Sequence, residues 1–253
     1  VSGGQVLRFE FVTVVGVRYH VSLEECKRVE YSGPVLWSVG PYQCSAARPT
    51  DGTATSRISM TRTHSDHVAA SRAIHRRTGK NFYVATRLFP ERVRRGTYAL
   101  YGFFRVADDV VDDPDGAAPG EQRRELRRIR SAALGQRETD DPVLRAFRAV
   151  ADECGIDDRE IEAFVDAMEM DVTVDRYDTY ADLEEYLRGS SVAVAYMMLD
   201  VMDPEETERA RPHARALGEA FQLTNFLRDV REDVVDYDRI YLPGSTLEKH
   251  GVT

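Results

Sequence analysis

Cysteine is scarce in this chain: three residues in 253, Cys26, Cys44 and Cys154, far apart and without a CxxC pair. That excludes a disulfide-stapled scaffold and a cysteine zinc site, and it fits a reducing compartment. Long apolar runs are missing too. The longest in the second half, Val192–Leu199, falls far short of the roughly 20 residues that a membrane span needs. The N-terminus lacks the basic-then-apolar pattern of a signal peptide. The expected location is cytoplasmic, with peripheral membrane contact open to a protein that handles a greasy substrate. Lysine is nearly absent: Lys27, Lys80 and Lys249 are the three among 34 basic residues. The net charge is −9, unevenly spread, with residues 60–99 at +7 and residues 100–253 at −17. Such acidity argues against a nucleic-acid partner. Nothing in the sequence signals an oligomeric state.

What is present divides in two. Residues 1–59 form an atypical N-terminal segment, with a Val/Phe/Thr-rich stretch at Val6–Val21 that reads as a strand or hairpin. Glycine and proline then interrupt the chain repeatedly, and Thr50–Ser59 reads as a linker. This segment carries no recognisable chemistry and is read as an appendage or as upstream, non-native sequence. From Met60 onward the pattern is helical with short polar breaks, and residues 60–253 are expected to form one all-α domain. The spacing predicts helices over Ser65–Arg77, Asn81–Phe89, Pro90 to about Asp113, Glu121–Leu134 and Pro142–Cys154. Further helices follow over Arg159–Val174 (capped by Asp157 or Asp158), from an Asp182 cap through Val201, and from Pro204 with a kink or restart at Pro212.

Two of these helices carry acidic stripes. Gln222, Asn225, Asp229 and Asp233 are three, four and four residues apart, so they share one face over about 16 Å of helix. Tyr101, Arg105, Asp108 and Asp112, four, three and four residues apart, form a second stripe ending in the same Asp-x3-Asp pair on the earlier helix. Aligned carboxylates repel each other, and aspartate is a poor helix former. Asp112 and Asp113 also fall at a helix C-terminus, where negative charge opposes the macrodipole by roughly 0.3–1 kcal/mol each. Either stripe alone could be a solvated acidic face. Two stripes that share this aspartate pair in apolar sequence point to a cavity that gathers at least four carboxylates, suited to Mg²⁺ or Mn²⁺ bound together with substrate phosphates. Arg105 and Arg228, beside the acids, could take remaining diphosphate charge through forked hydrogen bonds. Arginine-rich Glu121–Arg137 reads as a solvated face, and His64 with His67 as a weak metal candidate. Met168, Met170, Met197, Met198 and Met202 read as core or cavity wall.

These residues closely resemble the squalene/phytoene synthase family of head-to-head prenyl transferases. The second signature is nearly whole: Leu217-Gly218, Gln222, Asn225, Arg228-Asp229, Asp233 and Arg239-Ile240-Tyr241-Leu242-Pro243. Tyr101, Arg105, Asp108 and Asp112 match the first. Asn81-Phe82-Tyr83 is similar to the family's Ser-Phe-Tyr element, and Asp171, Arg176-Tyr177 and Leu183–Tyr186 match its middle segment. Two glycines of the family's middle helix are Val192 and Ala195 here, a change in local cavity shape and hence in chain-length preference. Family members also continue for several helices beyond the Arg239–Pro243 element, so the resemblance implies an isoprenoid-synthase-type bundle around a central cavity that is C-terminally truncated at Thr253.

The resemblance further implies phytoene synthase activity in carotenoid biosynthesis: two geranylgeranyl diphosphates condense through a cyclopropyl diphosphate. Asp108, Asp112, Asp229 and Asp233 would hold Mg²⁺ or Mn²⁺. Arg105, Arg228, Gln222, Asn225, Asn81 and Tyr83 would bind substrate, and Tyr101 and Tyr186 would stabilise carbocations. Phe103, Phe104, Val194, Met197 and Met198 would wall out water. No NADPH is expected for phytoene formation; the chain has no GxGxxG loop, although the family's NADPH site is not of that kind. The alternatives are squalene or dehydrosqualene synthesis from farnesyl diphosphate, a head-to-tail prenyltransferase or terpene cyclase (disfavoured by Arg239–Pro243), and an inactive scaffold that keeps the motif.

Overall fold

The computed structural model describes residues 68–112 and 117–252. Val6–Val21, the Thr50–Ser59 linker, the boundary after residue 59, His64, His67 and Asp113 lie outside the described residues. Regular structure within them is helical: α1 (68–78), α2 (Lys80–Thr86), α3 (Glu91–Val111), α4 (Pro119–Ala133), α5 (Pro142–Cys154), α6 (Asp158–Asp171), α7 (Tyr180–Leu187), α8 (Val194–Met202), α9 (Thr207–Asp236) and α10 (Gly244–Lys249). A π-helical turn, Arg188–Ala193, joins α7 to α8. The one β feature among the described residues is a parallel bridge between Arg176 and Ile240. No described helix is long and apolar enough to cross a membrane.

Local chemistry sets the starts of α5, α6 and α7. Asp141 caps α5 by accepting from Val143 N (2.8 Å), Pro142 opens it, and Gly155 ends it in the left-handed region at φ 69°. Asp157, rather than Asp158, caps α6. The expected Asp182 cap is corrected. Thr179 is the N-cap of α7, and Asp182, three residues on, accepts from the Thr179 backbone N (2.9 Å) to complete a capping box. The helix expected to run on through Val201 is divided by the π turn. Nor does Pro212 restart the long helix. It lies inside a continuous 30-residue α9, which begins at Thr207 rather than at Pro204. Proline in the second turn removes one backbone bond, and α9 packs along α8 and the π turn.

The core lies between α3, α4, α5, α6 and α8. Phe103 stacks on Phe147 with ring centroids 3.9 Å apart and tilts against Phe164. Leu100, Leu126, Ile129, Leu144, Ile161, Leu183 and Met197 are completely enclosed around them. Phe103 and Met197 are therefore packing residues and not cavity wall, whereas Phe104, Val194 and Met198 are half-buried. Met202, expected inside, is exposed at the end of α8. The acidic helix α9 buries Phe226 but leaves Leu217, Phe221, Leu227, Val230 and Val234 exposed, so the described residues do not close the bundle on that side.

Close backbone approach sets the position of the π turn. A Cβ on Gly189 would lie 2.1 Å from the carbonyl oxygen of Ala163 on α6. No side-chain adjustment relieves a clash with backbone, so Gly189→Ala is expected to destabilise the protein by about 2–3 kcal/mol, the upper part of the overpacking range. Urea unfolding followed by circular dichroism checks this; an unchanged midpoint would show that α6 and the π turn separate freely.

Candidate active site

Both acidic stripes exist as helical faces, and each is tied up locally. On α3, Arg105 forks to Asp108 (Nη1 to Oδ2, 2.7 Å) and Asp109 (Nη2 to Oδ1, 2.6 Å). Burial, and then the Asp112 carboxylate one turn on, raise the Asp108 carboxyl well above the usual range against the pull of Arg105. Asp112 is the C-cap of α3, its N–H bonded to Asp108 O. On α9, Gln222 accepts from Asn225 Nδ2 (3.4 Å), and Arg228 clamps the adjacent Asp229 with Nε and Nη2 at 2.7 and 2.5 Å. Asp233 is pushed up to about 6, first by burial and then by Asp229 and Glu232, with Asp112 adding to the rise from the other helix. The C-terminal ends of the two stripes thus feel each other's charge.

Arg239 occupies the junction between them. Its Nη1 donates to Asp112 Oδ1 (3.2 Å), and its Nη2 to the carbonyls of Val111 (2.9 Å) and Asp171 (3.1 Å). The guanidinium is almost enclosed, with Tyr237 against its face. Behind it lies a recess of about 260 Å³ lined in part by Val111, Gln122, Asp175 and Tyr237. Asp171, on neither stripe, is buried and accepts from Tyr186 (2.8 Å) and Tyr241 (3.0 Å); burial raises its carboxyl to about 6 although both bonds and Arg239 oppose the shift.

The remaining expected residues fall into two places. Tyr186 is in the core, its ring against Tyr241 (5.3 Å) and Phe226 (6.3 Å), rather than presenting an open face. Tyr101 stacks on His75 (3.8 Å) and shares a hydrogen bond with Thr78, fitting against Gly79, where a Cβ would lie 2.5 Å from its hydroxyl. Tyr83 meets the same His75 edge-on and accepts from Arg72, while Asn81 is exposed on α2. His75 is enclosed with both ring nitrogens unpartnered, and burial lowers it to about 4, so it is neutral near pH 7.

Among the described residues no three acidic, histidine or cysteine side chains converge to hold an ion by themselves. The four expected aspartates stand as two pairs. All their donors are carboxylate oxygens, and Mg²⁺ typically takes one or two carboxylates and completes its shell with phosphate and water. The donor set fits a metal–diphosphate pair better than a bare cation.

The squalene/phytoene synthase family model matches residues 75–253, a span that contains both stripes and Arg239. The chain belongs to the squalene/phytoene synthase family. It is 38% identical over 183 residues to a phytoene synthase of Pseudescherichia vulneris, covering 69% of this chain and 59% of that protein. It is 35% identical over 179 residues to a presqualene diphosphate synthase of Rhodopseudomonas palustris, covering 69% and 62%. The solved structure of a dehydrosqualene synthase superposes with a TM-score of 0.67 at 30% identity, covering 76% of this chain and 66% of that one. The chain thus spans about three fifths of the length of these relatives.

For this family member, Asp171 and Arg239 appeared in the sequence only as parts of matching segments, and His75 not at all. A buried arginine or histidine has no periodic signature; the Arg239–Pro243 signature was the one available pointer. Asp233 and Asp171 both keep their protons, when folded, at pH values where the unfolded chain has lost them. Their stabilisation is complete below about pH 4 and declines as pH rises through about 6. Relative to the parent, Asp233→Asn should therefore gain Tm as pH rises from 4 to 7, read by thermal melts of both proteins; a difference that does not change with pH would contradict the burial of the Asp233 carboxyl.

Proposed function

We propose that the protein is a head-to-head prenyl transferase of the phytoene synthase type, condensing two geranylgeranyl diphosphates. The observation that carries this reading is the junction at Arg239, which bonds Asp112 of one aspartate pair (Asp108 and Asp112) by its side chain and Asp233 of the other (Asp229 and Asp233) by its backbone, two pairs whose like charges a metal–diphosphate would relieve. Mg²⁺ or Mn²⁺, when bound, supplies charge stabilisation for the departing diphosphate. Arg105 and Arg228 hold carboxylates in the free protein. They are the two guanidinium forks beside the acids that would bind the phosphate oxygens of a diphosphate held with the metal. Gln222 and Asn225 extend the polar face toward the diphosphate, and Tyr101, held by His75, presents an aromatic ring at the N-terminal end of the α3 stripe.

In balance, one allylic C–O bond breaks and diphosphate leaves. The double bond of the second substrate attacks, and loss of a proton closes the cyclopropane. The second diphosphate then leaves, the skeleton rearranges and a second proton is lost, giving one C40 hydrocarbon, two diphosphates and two protons. Half-buried Phe104, Val194 and Met198 are the apolar groups available to shield the cation from water.

The presqualene diphosphate and dehydrosqualene synthases among its relatives favour a second reading, the same chemistry on farnesyl diphosphate. Incubation with each diphosphate and Mg²⁺, with and without NADPH, followed by hydrocarbon extraction, separates the two. A C40 product from geranylgeranyl diphosphate without NADPH is expected, and a C30 product alone would sink the phytoene assignment. Asp229→Ala is expected to lower turnover at least about a hundredfold with helicity intact; retained turnover would remove Asp229 from the metal role.

A further inference from the structure

The C-terminal turn of α3 is an unfavourable place for acids. The last carbonyls of a helix lack intrahelical partners, and the macrodipole is negative there. Asp108, Asp109 and Asp112 add three carboxylates to it. Arg239 satisfies Val111 O and Asp112 Oδ1 with the same guanidinium, and its third bond, to Asp171 O, anchors that group on the end of α6. Its backbone N–H meanwhile donates to Asp233 O (2.8 Å), on the second stripe. One residue is therefore bonded to the last aspartate of both stripes, by its side chain to Asp112 and by its backbone to Asp233.

The segment that carries Arg239 is itself fixed. Ile240 N donates to Asp175 O (2.9 Å), Gly244 N to Tyr177 O (2.9 Å) and Ser245 N to Asp178 O (3.0 Å). Tyr241 donates to one oxygen of Asp171 while Tyr186 donates to the other. Phe226 of α9 stacks on Tyr241 at 4.4 Å. The strap after α9 cannot shift without breaking bonds to the α6–α7 connection.

We infer that Arg239 is a positioning residue that sets the separation between the two aspartate stripes and the orientation of the Asp112 carboxylate toward a shared metal–diphosphate. This rests on the metal–diphosphate reading of the site given above. Only a planar fork makes the three side-chain bonds at once, so lysine replaces the charge and not the geometry. The buried Asp171 is the abutment: both its oxygens are held by tyrosines, and its carbonyl receives Arg239.

The test is a double-mutant cycle on the whole protein, read by Mn²⁺ binding in the presence of inorganic pyrophosphate, followed by electron paramagnetic resonance. Arg239→Met is expected to weaken Mn²⁺ binding about tenfold or more, in the range found for groups that orient metal ligands. Arg239→Lys should fall between it and the parent. In an Asp112→Asn background Arg239→Met should add less than about twofold, because the group it orients is gone. Equal losses in both backgrounds, or none in the parent, overturn the inference. If Arg239→Met does not fold, Arg239→Lys decides the same cycle. Hydrogen exchange of the Val111 and Asp112 amides, measured without metal, separates this claim from the functional one. A protein that binds no Mn²⁺–pyrophosphate but shows faster exchange at these amides in Arg239→Lys loses the prenyl-transfer reading and keeps the positioning role. Unchanged exchange in such a protein overturns the positioning role as well.

Discussion

Concentrating negative charge where a helix already ends negative is the constraint around which this molecule is arranged. Asp108 and Asp112 sit on the last turns of α3, and Asp233 near the end of α9 contributes to the same field. Burial and mutual repulsion raise the Asp108 and Asp233 carboxyls, and the repulsion unopposed would splay the two helix ends apart. The protein instead inserts one enclosed guanidinium, Arg239, braced from behind by Asp171 and two tyrosines. Arg105 and Arg228 neutralise the cluster at its edges through contacts within their own helices. The charge is thereby held in place without being cancelled, the condition a site needs if it is to take a cation together with an anionic substrate.

The packing serves the same end. Aromatic contacts of Phe103 with Phe147 and Phe164 fix α3 against α5 and α6, so the first stripe is mounted on a helix packed into the core. The π turn brings the Gly189 backbone against α6, and Gly218 of α9 approaches the backbone of Ser191, where a Cβ would lie 2.9 Å from its carbonyl oxygen. Close approach at two glycines lets a helix with little buried surface of its own be located by backbone contact. The opposite side of α9 is open, with Leu217, Phe221 and Leu227 exposed. Among the described residues the enclosed half of the site is the α3–α6 side.

Membership of the squalene/phytoene synthase family and the paired acidic faces are two descriptions of the same residues, since the matched span, residues 75–253, contains both stripes. What distinguishes this chain is local. Val192 is fully buried and Ala195 half-buried in the middle helix. Tyr186 directs its hydroxyl into the Asp171 network rather than toward a ligand, so its part in the free protein is to hold the strap that carries Arg239.

The sequence by itself determined the all-α class, most helix positions and both stripes, because helical periodicity, caps such as Asp141 and stops such as Gly155 act within a few residues of chain. Pro142–Cys154 was legible to the residue for that reason. It misplaced the Asp182 cap and the Pro212 break, where a neighbouring threonine and packing along α8 outweighed the local signal. It also placed Phe103 and Met197 at a cavity that they do not reach. Only the tertiary structure decided that Asp112 and Asp233 share a field, that Asp171 is buried between two tyrosines, and that Arg239 joins residues 127 and 128 positions away. Electrostatic work depends on distance and burial in space, and neither is written in the spacing of residues along a chain.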